Sequence, residues 1–193
     1  RIILTRYCSG EFNIALTFQQ LKNADVNGDG KVDLVDKYLI IRAVNKWPGY
    51  TDILPNKPIT DYILYGDLNN DGEINEKDST LLSNYLNNNT NISDQALKNA
   101  DINGDGKVNI IDLGLLQMYV DTPDNYTGTL PDHPITNYTI QYGDANCDNK
   151  ITASDVQRIF SHLSNSTLLI GQQLLNADVN GDGKIDYVDA DLS

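Results

Sequence analysis

One twelve-residue spacing of oxygen-bearing side chains recurs five times in this chain, starting at Asp25, Asp67, Asp101, Asp144 and Asp178. Positions 1, 3 and 5 read Asp, Asn, Asp in every copy: Asp25, Asn27, Asp29; Asp67, Asn69, Asp71; Asp101, Asn103, Asp105; Asp144, Asn146, Asp148; and Asp178, Asn180, Asp182. Position 9 is again an oxygen donor (Asp33, Asn75, Asn109, Thr152, Asp186), and position 12 is always Asp (Asp36, Asp78, Asp112, Asp155, Asp189). Carboxylates crowded into short turns repel one another unless a cation offsets them. The repeat therefore restricts the chain to folds that condense around bound metal.

The donor set suits a hard divalent ion. Ca²⁺ takes about six to eight oxygens, and alternate residues 1, 3 and 5 can wrap one side of it. Position 7 supplies only its backbone carbonyl, so Lys31, Glu73, Lys107, Lys150 and Lys184 can stand there. Position 9 contributes directly or through water, and position 12 closes the shell. This is the ligand rhythm of an EF-hand-type loop. Asp at position 12 is one methylene shorter than the usual Glu, which draws the following helix closer to the ion. Glycine at position 6 (Gly30, Gly72, Gly106, Gly183) permits the positive φ of a sharp turn. In the fourth copy Asn149 stands there, with Cys147 at position 4 and Thr152 at position 9, so this loop is expected to be the weakest of five calcium sites.

The charge balance agrees. The formal net charge is −13, with 27 Asp and Glu against 14 Lys and Arg, and most of the acids lie in the loops. Five bound calcium ions would bring the chain close to neutrality. No basic stripe offers a footprint for nucleic acid. No run of about 18 apolar residues could span a membrane. The two cysteines, Cys8 and Cys147, are too few for a disulfide scaffold, so calcium has to supply the stapling. They are expected to be unpaired thiols, with a bridge between them left open.

The loops come in pairs. Their starts are separated by 42, 34, 43 and 34 residues, giving a repeat near 77. First-half loops follow Tyr-Gly (Tyr65-Gly66, Tyr142-Gly143). Second-half loops follow a Leu-x-Asn-Ala phrase (Leu21 to Ala24, Leu97 to Ala100, Leu174 to Ala177). After position 12, apolar residues recur at +3, +4 and +8, as in Leu81, Leu82 and Leu86 or Leu115, Leu116 and Val120. That stripe predicts a short amphipathic helix leaving each loop. Tyr-Gly leaves no room for an entering helix before Asp67 or Asp144. The β-branched residue at position 8 (Val32, Ile74, Val108, Ile151, Ile185) suits a short strand pairing two loops. The expected organisation is a partial module at 1–47 with its second loop only, a linker at 48–64, a complete module at 65–120, a linker at 121–141, and a module at 142–193 lacking its final helix. The whole reads as a window on a longer array.

These features resemble dockerin modules: paired twelve-residue loops, Asp at position 12, the missing entering helix, and the phrases Tyr-Gly-Asp-x-Asn-x-Asp and Leu-Lys-Asn-Ala-Asp-x-Asn-Gly-Asp-Gly-Lys-Val. The resemblance implies a mainly α fold of calcium loop–helix motifs joined by extended or short-strand linkers, two ions per complete module, and docking onto cohesin modules. It also implies an extracellular or cell-surface setting in bacterial polysaccharide-degrading (cellulosome-type) assemblies. Recognition in the family lies at loop positions 10 and 11 and along the exit helix. The apolar pairs at those places, Leu34-Val35, Ile110-Ile111 and Tyr187-Val188, are therefore the expected partner-binding residues. The first-half pairs, Glu76-Lys77 and Ala153-Ser154, are polar or small.

The linkers repeat as well: Leu54-Pro55 through Pro58-Ile59-Thr60-Asp61-Tyr62 parallels Leu130-Pro131 through Pro134-Ile135-Thr136-Asn137-Tyr138. Their Ile, Tyr and Leu content predicts packing as short strands against the modules rather than free tethering. Catalysis finds no footing. His133 lies in a linker, His162 occupies a helix place filled by Tyr85 and Tyr119 in other copies, and no nucleophile–base set assembles. Two non-enzymatic roles remain: an array docking onto cohesin-like partners, and a calcium-stiffened extracellular fibre or scaffold in which the apolar pairs bury against neighbouring copies.

Overall fold

The computed structural model describes residues 16–47, 54, 57–127 and 129–193. The chain divides into two compact units, one of Arg1–Tyr62 with Asn70–Glu73, the other of Ile63–Asn69 with Ile74–Ser193. The fold is mainly α, and no strand forms among the described residues. The expected short strands do not form at the position-8 residues or in the described part of the linkers; residues 48–53, 55, 56 and 128 lie outside the described residues. Ile74, Val108 and Ile185 instead pack as side chains against the core. Cys8 lies outside the described residues.

In the first unit, α1 (Phe18–Ala24) opens on a Thr17–Gln20 capping box and leads into the loop at Asp25, and α2 (Leu34–Val44) leaves it. In the second unit, α3 (Glu76–Leu86) leaves the loop at Asp67, α4 (Asp94–Ala100) enters the loop at Asp101 and α5 (Ile110–Asp121) leaves it. After a 3₁₀ turn at Pro123–Tyr126 the pattern repeats as α6 (Ala153–Leu163), α7 (Gln172–Ala177) and α8 (Tyr187–Leu192).

Every exit helix starts in the same way. Position 9 is the N-cap and accepts the N–H two residues on, while position 12, at N3, accepts the N-cap N–H. The pairs are Asp33/Asp36, Asn75/Asp78, Asn109/Asp112, Thr152/Asp155 and Asp186/Asp189. A capping box of this kind satisfies two of the four N–H groups that a helix start leaves unpaired. The first-half loops are entered by a Tyr-Gly turn, as expected. The Leu-x-Asn-Ala phrase before each second-half loop is the end of a short entering helix, which the sequence reading did not resolve.

The apolar stripes bury as their spacing requires. Leu82, Leu115, Leu116 and Ile159 are fully enclosed, and Leu130, Ile135, Leu174 and Leu175 join them in one cluster. Two asparagines tie the half-motifs together. Asn99 donates from Nδ2 to the Asp67 carbonyl at 2.6 Å, accepts the Leu64 N–H on Oδ1 at 3.0 Å, and its own carbonyl accepts the Gly66 N–H at 2.8 Å. Asn176 repeats the set with Asp144, Gln141 and Gly143 at 2.9, 2.9 and 2.8 Å.

Within the second unit, α5 packs directly on α7. Gly114 makes the approach possible: a Cβ there would collide with Leu175 Cδ1 and stand 2.8 Å from the Gly171 carbonyl oxygen. The Gly171 N–H donates to Gln117 Oε1 at 2.8 Å, and the Ile110 N–H to the Gly183 carbonyl at 3.2 Å. The segments 65–121 and 142–193 thus share a core rather than sitting as separate beads.

Candidate calcium loops

Each loop is organised by side-chain oxygens that accept backbone N–H groups of the same loop. The position-1 carboxylate receives the position-6 N–H: Gly30 to Asp25 at 3.0 Å, Gly106 to Asp101 at 3.0 Å, Asn149 to Asp144 at 2.9 Å and Gly183 to Asp178 at 2.9 Å. The position-3 Oδ1 receives the position-5 N–H in the loops of Asn27, Asn103, Asn146 and Asn180, at 2.8–3.1 Å. The position-5 carboxylate receives the N–H of Lys31, Glu73, Lys107, Lys150 or Lys184 at 2.8–3.0 Å. That bond turns the position-7 peptide. Position 12 reaches back across the loop, as when Asp78 Oδ1 accepts the Leu68 and Asn69 N–H groups at 2.9 and 3.1 Å. An ionised carboxylate has about four lone-pair sites. These turns take two or three of them, as in Asp25 and Asp36, and at least one is left for an ion.

Electrostatics supply the demand. All five position-12 aspartates are buried. Burial pushes Asp112 up to about 7, with the charges of Asp101 and Asp105 adding to the effect, and pushes Asp36 up to about 6. Asp33 and Asp178 are raised by the same cause. A desolvated carboxylate beside other carboxylates is costly as an anion until a cation arrives, and Ca²⁺ answers that need. Among the described residues no three His, Cys, Asp or Glu side chains form a metal site by themselves. Asn at position 3 and the carbonyl at position 7 add further oxygen donors, of the mixed kind that calcium accepts.

Two backbone positions per loop take positive φ. Position 6 does so in Gly30, Gly72, Gly106, Asn149 and Gly183, and position 4 in Gly28, Asn70, Gly104, Cys147 and Gly181. The loop at Asp144 is the one copy with no glycine at either place. Its Cys147 is exposed and unpaired.

The expected partner-binding residues fall into two groups. Val35 is fully buried and Leu34 half-buried, the latter backing on Gly72 within the first unit. Ile110 and Ile111 are half-buried against the core. Tyr187 and Val188 are exposed, and the Tyr187 ring stands 6.1 Å from that of Phe160, which is also exposed. In the second unit, every exposed large hydrophobic residue among those described lies in 142–193. His162 accepts the Leu169 N–H on Nδ1 at 3.1 Å, and burial together with Arg158 holds its pKa below 6.5. It serves there as a neutral structural acceptor. No helix of the described residues is long and apolar enough to cross a membrane.

Asn99 and Asn176, whose bonds set the approach to the first-half loops, were visible in the sequence only as the repeated Asn of Leu-x-Asn-Ala. No signal in the sequence marked Gly114.

The model of the EF hand matches residues 18–34, and that of the dockerin type I domain matches residues 65–121 and 142–192. No curated protein matches the chain. Members of these families bind calcium, and dockerins are non-catalytic docking domains whose partners are cohesins. With more than half of its length matched, the chain belongs to the dockerin type I family.

Proposed function

We propose that this chain is a calcium-dependent docking array of dockerin modules at 1–47, 65–120 and 142–193, joined by the linkers 48–64 and 121–141. It holds five calcium ions and carries cohesin-like partners in an extracellular, bacterial polysaccharide-degrading assembly. Each ion is held by the side chains at positions 1, 3, 5, 9 and 12 and the carbonyl at position 7. The ion thereby draws otherwise repelling carboxylates into one shell. The chain binds and positions, and performs no catalysis of its own.

One observation carries this reading: the residues at positions 9 and 12 also form the capping box of every exit helix. Ion binding and the start of the helix that presents positions 10 and 11 are then a single event, which makes docking depend on calcium. The exposed Phe160, Tyr187 and Val188 supply the face for a partner. Immobilised type I cohesins, exposed to the chain in calcium and in EDTA, test the proposal. Retention in calcium and release in EDTA is the expected result, and failure of every cohesin to retain the chain in calcium retires it.

A second reading, a calcium-stabilised fibre or scaffold of self-packing modules, draws support from the α5–α7 joint, where the face bearing Ile110 and Ile111 is taken up within the chain. Concentration-dependent self-association in calcium, measured by analytical ultercentrifugation without any cohesin, would favour it. A monomer at every concentration would leave the docking reading alone.

A further inference from the structure

The two linkers touch the loops that precede them in one repeated way. The Ile59 N–H donates to the Val26 carbonyl at 2.7 Å, and the Ile135 N–H to the Ile102 carbonyl at 2.8 Å. Pro58 covers Gly28, with its Cβ 3.2 Å from where a glycine Cβ would stand, and Pro134 covers Gly104 with its Cγ at 3.0 Å. The Asn27 Nδ2 donates to the Tyr62 hydroxyl at 3.5 Å, and the Asn103 Nδ2 to the Tyr138 hydroxyl at 3.2 Å. Positions 2, 3 and 4 of the loop are thus each held from outside by the linker. Two copies of the arrangement, 76 residues apart, repeat it bond for bond.

We propose that each linker completes the calcium site it follows: Tyr62 orients the position-3 ligand of the loop at Asp25, and Tyr138 that of the loop at Asp101. The reading rests on calcium occupying these loops as set out above. An asparagine amide has one acceptor end and one donor end, and only the acceptor end serves a cation. Asn27 and Asn103 are buried. Their Nδ2 groups are committed to Asp29 and Tyr62 in one loop and to Asp105 and Tyr138 in the other, at 3.1–3.5 Å. This fixes which end of the amide remains for the ion, the role outer-shell partners play at metal sites generally. In the loop at Asp178, Asn180 is exposed and its Nδ2 donates to Asp182 at 3.4 Å.

The same segment is held from inside by position 12. Asp36 Oδ1 accepts the Val26 and Asn27 N–H groups at 2.8 and 3.4 Å, and Asp112 Oδ1 accepts the Asn103 N–H at 3.3 Å. Positions 2 and 3 lie between the carboxylate that closes the calcium shell and the linker on the other side. Calcium that orders this segment strengthens linker docking, and by reciprocity a docked linker raises calcium affinity.

Tyr138→Phe and Tyr62→Phe in the full chain remove one hydroxyl each and keep the ring. A calcium titration followed by NMR at the position-6 amides, Gly106 and Gly30, reads the two loops separately. Tyr138→Phe is expected to move the Gly106 midpoint to about tenfold higher calcium and leave Gly30 in place. Tyr62→Phe is expected to do the converse. Hydrogen exchange at the Ile135 and Ile59 amides in saturating calcium gives the reciprocal readout, with faster exchange only in the linker whose tyrosine was changed. If the parent chain titrates and both variants keep their midpoints within about twofold, the linker's role is overturned while the calcium loops stand. If neither glycine of the parent responds to calcium, both fall together.

Discussion

Left-handed backbone at position 4 carries a cost that depends on which residue stands there. Glycine bears it without penalty and asparagine with little, whereas an ordinary side chain in that region costs about 1–2 kcal/mol. Cys147 holds φ at 61°, and Asn149 two residues on holds 64°. The glycine rhythm at position 6 could be read from the sequence, and so could its break at Asn149 in the fourth loop. The demand at position 4 could not, because Gly, Asn, Gly, Cys and Gly there look like free variation until the dihedrals are known. Cys147→Gly with Asn149→Gly is therefore expected to tighten calcium at the loop of Asp144 about tenfold, measured by calorimetric titration, without changing the other four. His162 belongs to the same scale. Its folded pKa lies below 6.5, so the unfolded chain binds the proton more readily and stability falls as pH drops through and below 6.5. The neutral ring's bond to the Leu169 N–H is fully present above that range. An NMR titration should place the His162 midpoint under 6.5, and a midpoint above it would contradict the buried-acceptor role.

At the level of elements, one short motif does two jobs. The spacing from position 9 to position 12 is the spacing of a capping box as well as of the expected calcium shell, and the exit helices themselves were legible in the sequence from the apolar stripe that follows it. The entering helices were not. They run only six or seven residues, too short for a full apolar stripe to declare itself. Their purpose shows in Asn99 and Asn176, whose side chains satisfy a buried N–H and a carbonyl of the Tyr-Gly-Asp turn across the module. Replacing Asn99 by Ala would strand the Leu64 N–H and take one hydrogen bond from the Asp67 carbonyl. The expected loss is about 3 kcal/mol of stability in thermal or denaturant unfolding of the calcium form. Asn23, the corresponding residue before the loop at Asp25, is exposed, and Asn23→Ala should change stability by less than about 0.5 kcal/mol. Equal losses at the two sites would refute the clamp.

At the scale of the molecule, the question is whether modules act singly or in concert, and Gly114 is where the second unit answers it. Glycine inside a helix costs about 1 kcal/mol relative to alanine, so Gly114→Ala improves α5 considered alone. The methyl group it adds meets Leu175 Cδ1, which can swing aside, and the Gly171 carbonyl oxygen, which belongs to the backbone and cannot move without α7. The backbone contact decides the sign: the joint between α5 and α7 should loosen although the helix gains. Hydrogen exchange at the Gly171 amide, which donates to Gln117, reports this directly. Its exchange is expected to quicken in Gly114→Ala while calcium stoichiometry stays that of the parent. A loosened joint also uncovers Ile110 and Ile111, the second-half face of the 65–120 module. If the docking reading holds, the variant should then take up more cohesin per chain than the parent. If the scaffold reading holds, it should lose self-association and gain no partner. Unchanged protection at Gly171 would show that α7 is not seated by the missing side chain, and the coupling between the two modules would need another cause.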